Sequence, residues 1–314
     1  MSATSLDLET HRVALTGHCY RMLGSATDAD DAVQETLLRA MKALDRFEER
    51  AAMRTWLYRI ATNVCLDALA ERKRVRPIDD GPRGTVESTL ETQPHEHWLE
   101  PIADARAIPD DETPEAILSL RQRTRLAFVA AMQHLPPRQR AALLLAEVLE
   151  WPVAEIAQTL ETTVAAINSA LQRARATLAA RGSEGLLRIP SSEEKETAAR
   201  YGAAFERYDI EALVGMLRHD AVLSMPPFTL WLQGPEDIGR WHVGPGHGCR
   251  GSRIRWVEVP GQEAFAQWRR DPAGGFAAWA LVVLDPDGTH IGAVTSFLDV
   301  ERIFPAFGLP LRLA

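Results

Sequence analysis

The chain has 314 residues, 46% hydrophobic and 25% charged, and its 35 Lys and Arg against 43 Asp and Glu give a formal net charge of -8. That length exceeds one small core and fits two or three domains. No apolar run is long enough to span a bilayer, and the start MSATSLDLETHRVAL has no basic patch leading into an apolar stretch. Neither a membrane span nor a secretory signal is expected, and a cytoplasmic protein is expected. The negative balance argues against a surface coated in base, so any contact with DNA must be local. Cys19, Cys65 and Cys249 are far apart, odd in number and outside any CxxC or Cys/His spacing, which predicts no disulfide, metal site or cofactor.

Residues 1–76 form an all-helical module. Ala29, Val33, Thr36, Leu37, Ala40, Met41 and Leu44 recur at helical spacing, with Thr27, Asp28, Asp30 and Asp31 supplying a cap and acids at the positive helix end. A second long helix starts near Arg54, with Leu57, Ile60, Ala61, Val64 and Ala68 on its apolar side, and the module ends in the basic run Glu71 to Arg76. Residues 77–115 are rich in Asp, Glu, Pro and Thr and read as an acidic linker, a solvated tether.

Residues 116–182 form a second helical module. Ile117, Leu120, Ala127, Phe128, Ala131 and Leu135 make one stripe, ended by Pro136-Pro137, and Arg138 to Leu149 begins another helix. Pro152 to Leu160 then reads as a short helix with Ala154, Ala157 and Leu160 inward. Glu161-Thr162-Thr163 turns, and Val164, Ile167, Leu171, Ala174 and Leu178 stripe the helix that follows. Opposite that stripe lie Asn168, Ser169, Gln172, Arg173 and Arg175, side chains that can donate to bases and phosphates in a major groove. An ordinary helical hairpin with a polar face would share this pattern.

Two blocks in this order resemble the sigma-70 family of RNA polymerase sigma factors, in the compact extracytoplasmic-function form. Asp28 to Ala40 (DADDAVQETLLRA) resembles the helix that grips the polymerase clamp, and Thr55 to Asn63 (TWLYRIATN) resembles the helix that reads the -10 element. Ala154-Glu155-Ile156-Ala157 with Leu171 to Arg175 resembles the -35 reader. The resemblance implies core RNA polymerase and promoter DNA as partners. It places Asp28, Asp31, Gln34 and Glu35 on the polymerase. Phe47, Arg54, Arg59, Asn63, Arg72, Lys73, Arg74 and Arg76 fall on -10 DNA, and Asn168, Ser169, Gln172, Arg173 and Arg175 on -35 DNA. Phe47 and Asn63 match the positions of a pocket for an extruded base, whose capture offsets part of the cost of opening the duplex; Trp56 is assigned to packing. Ala170 and Asn168 stand where relatives often carry basic residues, which implies fewer phosphate contacts at the -35 element.

Residues 190–314 exceed this plan. Glu193 to Tyr208 and Ile210 to Leu217 read as helices, and Ala221 to Met225, Arg253 to Val259, Phe276 to Leu284 and Ile291 to Val300 as strands, an α+β order. With Met225-Pro226-Pro227, the Trp231 to Gly234 turn and Phe304 to Pro310, the order resembles the SnoaL-like branch of the NTF2-like superfamily, a cone-shaped sheet. The expected fold is multidomain: two all-α sigma domains, the second a helix-turn-helix, then an NTF2-like cone. Such a cone encloses room for a small-molecule ligand. His219, Asp220, His242, His247 and Asp299 are candidates by type for proton transfer, but no paired spacing singles them out. A promoter-specificity factor regulated by its own cone, and not itself an enzyme, is the leading reading. A fused cyclase or isomerase, or a ligand-gated one-component regulator, are the alternatives.

Overall fold

The computed structural model describes residues 8–47, 52–69, 74–180 and 187–314. The chain divides into two compact units, one drawn from Met1–Arg74 with Leu99–Arg188 and one from Val75–Trp98 with Ile189–Ala314.

The first unit opens with α1 (Arg12–Leu23), α2 (Ala26–Ala43) and α3 (Met53–Leu69). Gly24, in the left-handed region at φ 74°, ends α1, and Ser25 caps α2 by accepting from the Asp28 amide at 3.1 Å. α2 buries Ala29, Val33, Thr36, Leu37 and Ala40, one face at helical spacing. α1 is buried from Leu15 to Leu23 on every side, so it carries no polar stripe. Its interior His18 bonds Thr62 of α3 through Nε2 at 3.0 Å, while its buried Nδ1 has no partner among the described residues. A Cβ on Gly17 would collide with the Ala107 carbonyl, which lets residues 99–108 pack directly on α1 through Leu99, Ile102, Ala107 and Ile108.

The rest of this unit comprises α4 (Pro114–Thr124), α5 (Leu126–Met132), α6 (Pro137–Glu147), α7 (Val153–Thr159) and α8 (Val164–Ala179). The single stripe expected from Ile117 to Leu135 is broken at Arg125, whose backbone is extended (φ -51°, ψ 140°). The Arg125 side chain is buried and donates to the Arg188 carbonyl at 2.7 Å, a tertiary bond that periodicity does not reveal. α7 and α8 form the helix-turn-helix, with Glu161 in the left-handed region at φ 48° and Thr163 capping α8. Ile167, Leu171, Ala174 and Leu178 are its inward stripe, whereas Val164, expected inward, is 46% exposed in the first turn. In α7 Ile156, Ala157 and Thr159 are buried, as is Leu160 just after it, whereas Ala154 faces solvent.

The second unit contains α9 (Ser192–Arg207), α10 (Ile210–Gly215), α11 (Pro235–Val243) and α12 (Val300–Ala306). Its strands are β1 (Leu217–Ser224), β2 (Trp231–Gln233), β3 (Arg253–Val259), β4 (Gln262–Arg270), β5 (Phe276–Asp287), β6 (His290–Phe297) and β7 (Arg312–Leu313). The sheet order is β2-β1-β6-β5-β4-β3, with β7 added to β5. β1 and β6 are parallel and the other pairs antiparallel. Ser191 and Glu194 form a capping box on α9, which lays Ala198, Tyr201, Ala204 and Phe205 against Phe265, Val282 and Leu284 of the sheet. This is the α+β order the sequence predicts, with β2, β4, β7, α11 and α12 added to the expected elements.

The acidic stretch is not a free tether: it divides between the two units. Residues 75–98 run along the second. The Gln93 amide and the Trp98 indole both donate to the Pro227 carbonyl (3.0 and 3.1 Å), Thr229 donates to Glu91, and Gly84 donates to Trp231. Such bonds satisfy backbone groups that a solvated tether would leave to water.

Candidate nucleic-acid interface

The expected -10 helix is α3. Phe47, after the turn Leu44–Arg46, stacks on half-buried Trp56 with ring centroids 4.9 Å apart, and Asn63 is exposed two turns further along. Trp56 therefore packs, as expected, and forms one wall beside Phe47. Tyr58 is buried edge-on against His18 at 5.2 Å. Arg54 pairs with Glu112 at 2.8 Å, and Arg59 donates to the Thr159 hydroxyl of α7 at 3.2 Å.

The basic run behaves differently from its sequence expectation. Arg72 and Lys73 lie outside the described residues. Arg74, expected on DNA, is 2% exposed and donates twice to Asp28 Oδ2, at 3.1 and 2.8 Å. A guanidinium taken out of water needs a carboxylate, and Asp28 in the first turn of α2 provides it. Arg74 is thus a clip inside the domain. Arg76 belongs to the second unit and pairs with Asp79 at 2.7 Å.

On α2, Asp31 and Gln34 are exposed, and Glu35 is half-buried and paired with Arg39 at 2.6 Å. Spacings of three and four residues place all three on one side of the helix. Asp28, Asp31 and Asp67 of α3 line a cavity of about 430 Å³ together with Leu23, Ala32, Val64 and Arg74. Asp28 is held by Arg74 and Asp67 pairs with Arg39 at 3.3 Å, which leaves Asp31, among the described residues, for a basic side chain of a partner.

On α8, Asn168, Gln172 and Arg173 are exposed and Ser169 is half-buried. Arg173 donates to the Ser169 hydroxyl at 2.6 Å, while Arg175 pairs with Glu147 at 2.7 Å. Asn168 and Gln172, one turn apart, carry amides with no partner among the described residues, and Arg173 beside them carries a charge that can leave Ser169 for a base or phosphate.

One functional-site residue was not legible in the sequence. Arg140 of α6 is buried and donates to the Met22 carbonyl at the end of α1, to Gln133 Oε1 at 2.6 Å and to the Gln133 and Leu135 carbonyls. Burial lowers its pKa to about 10. It ties the helix-turn-helix part of the first unit to its amino-terminal helices, and no motif announces it.

Of the proton-transfer candidates, His219 is exposed, Asp220 pairs with Arg218, His247 contacts the Gly244 carbonyl, and Asp299 precedes α12 and pairs with Arg302. His242 on α11 is buried, with neither ring nitrogen bonded. Burial pushes its pKa down to about 4.

Residues 8–75 match the Sigma-70 region 2 family and residues 125–178 match Sigma-70, region 4. The extracytoplasmic-function RNA polymerase sigma factor SigG of Mycobacterium tuberculosis is 43% identical over 98% of this chain and 84% of that protein. SigW of Bacillus subtilis is 31% identical over 51% of this chain and 78% of its own length. Among solved structures, the fold is similar to that of the Mycobacterium tuberculosis sigma factor SigJ, with a TM-score of 0.64, 20% identity and 97% of each chain covered. No helix among the described residues is long and apolar enough to cross a membrane.

Proposed function

Because the chain belongs to the extracytoplasmic-function family of RNA polymerase sigma factors, we propose that Phe47 and Asn63 read an unpaired -10 base, that Asn168, Gln172 and Arg173 read the -35 element, and that Asp31, Gln34 and Glu35 hold the polymerase. The chain is an alternative sigma factor that directs promoter-specific initiation, with core polymerase and promoter DNA as its partners. The observation that carries the residue assignment is the exposure of Asn63, Asn168, Gln172 and Arg173 on helices whose opposite faces are buried.

The described state of the first unit is a closed one. Glu112 occupies Arg54, Thr159 occupies Arg59, and Arg140 binds the end of α1, so two cations of the -10 helix are engaged inside the protein. Strand binding then requires these contacts to exchange for phosphates, a population shift that polymerase binding can drive. The cone is a regulatory extension in this reading, not an enzyme. The similarity to SigG extends through it, and its candidate acids and histidines are paired or exposed apart from His242.

Transcription by core polymerase supplemented with the purified protein, on promoters drawn from its own genome, tests the assignment. Initiation that is lost with Asn63→Ala and redirected with Gln172→Ala or Arg173→Ala is the expected result. Failure to initiate on any promoter overturns it.

A further inference from the structure

Residues 250–270 carry Arg250, Arg253, Arg255, Arg269 and Arg270 against only Glu258 and Glu263. The register of the sheet sorts them. β3 is an edge strand paired only with β4, with Arg253 opposite Trp268 and Arg255 opposite Ala266; on the next pair Arg270 lies opposite Phe276. Directly opposite residues share a face, as do residues two apart on one strand. Arg253, Arg255 and Arg270 therefore share one face with Trp268 and Phe276, while Glu258 and Glu263, which oppose each other, lie on the other.

The three arginines are exposed and, among the described residues, none has a carboxylate within ion-pair distance. Asp271, next to Arg270, is taken by Arg312 at 2.6 Å. They are nevertheless held in place. The Arg253 guanidinium carbon is 4.4 Å from the Phe276 ring centroid, Arg270 approaches the same ring at 5.8 Å, and Arg255 stands 5.6 Å from that of Trp268. Stacking on a ring fixes the plane of a guanidinium and leaves its N–H fork free, the geometry that grips a phosphate with two bonds.

We propose that this β3–β4 face is a sequence-independent binding surface for the DNA phosphate backbone, a third DNA contact besides the two promoter readers. The proposal rests on the sigma-factor reading. A guanidinium can bond a guanine edge as well as a phosphate, so unchanged promoter choice in the variant is the readout that marks these contacts as phosphate rather than sequence. An acidic peptide adding to the sheet edge would use the outward amides of β3, and the Ile254 amide already donates to Glu206 at 3.3 Å. On a chain of net charge -8, an acid-free face is also where a polyanion meets least repulsion.

The test measures promoter affinity of the holoenzyme against salt, for the wild-type chain and for Arg253→Gln/Arg255→Gln/Arg270→Gln. Each lost phosphate contact lowers the slope of log affinity on log salt by about 0.9, so the triple variant should lose about 2 to 3 of slope. Its affinity should then fall roughly 40-fold less than wild type between about 50 and 200 mM salt. Promoter choice should not change, and the triple Lys variant should recover most of the slope. An unchanged slope in a folded triple variant that still initiates overturns the proposal and leaves the sigma-factor reading intact. So does weakened binding of core polymerase or poly-glutamate with no change on DNA, which would assign the face to an acidic protein. Wild-type holoenzyme that fails to initiate is a failure of the sigma-factor reading instead.

Discussion

The Glu112 carboxylate lies 2.8 Å from the Arg54 guanidinium, so an acid from the segment leading into the second helical module sits on a cation at the start of α3, the helix proposed to read the -10 element. Arg54 is 48% exposed and Glu112 25%, which makes the pair cheap to break, on the order of 1 kcal/mol or less. Glu112→Gln should raise the affinity of the free protein for a single-stranded -10 oligonucleotide by a few-fold, read by fluorescence anisotropy, and leave its thermal midpoint almost unmoved. Equal affinity in variant and wild type would show that Glu112 does not compete with DNA.

Arg74 and Arg173 should separate cleanly. Arg74 is buried on Asp28, so Arg74→Ala should cost about 2–4 kcal/mol of unfolding free energy in urea and leave the salt slope of DNA binding unchanged. Arg173→Ala, on an exposed helix face, should do the reverse: little stability change and altered promoter preference.

Arg140→Ala should weaken the closed arrangement. It leaves the Met22, Gln133 and Leu135 carbonyls without their donor and opens a cavity, together worth about 2–4 kcal/mol. Faster amide exchange at the end of α1 and in α6 is the expected readout; unchanged protection there would remove Arg140 from the closing contacts.

His242 sets a pH dependence in the second unit. Its folded pKa, about 4, lies below the unfolded value near 6.5, so the unfolded state binds more protons between those values. The stability from burying the neutral ring is complete above about pH 6.5 and is lost as pH falls toward 4, at up to about 1.4 kcal/mol per pH unit. His242→Phe should flatten that slope in calorimetric unfolding of the cone. A slope equal to that of wild type would locate the titration elsewhere.

Charge reversal at Asp31 tests the polymerase face. Asp31 is exposed and lines that cavity beside Asp28 and Asp67, so Asp31→Lys should reduce core polymerase binding at least tenfold without changing the helix content seen by circular dichroism.

The two helical sigma-70 regions and the α+β class of the extension were legible in the sequence, because helical stripes such as Ile167, Leu171, Ala174 and Leu178 repeat what local burial demands. β4 escaped that reading, although Pro260-Gly261 between Val259 and Gln262 is a turn signal that would have found it. The path of the acidic stretch, the break at Arg125, the inward turn of Arg74 and the carbonyl cage around Arg140 were decided only by the tertiary structure. Each depends on a partner from 46 to well over 100 residues away: Asp28 for Arg74, Pro227 for Trp98, Met22 for Arg140. Periodicity records whether a position is buried beside its neighbours in the helix, whereas the fate of a charge is set by what the folded chain brings to it from far along the sequence.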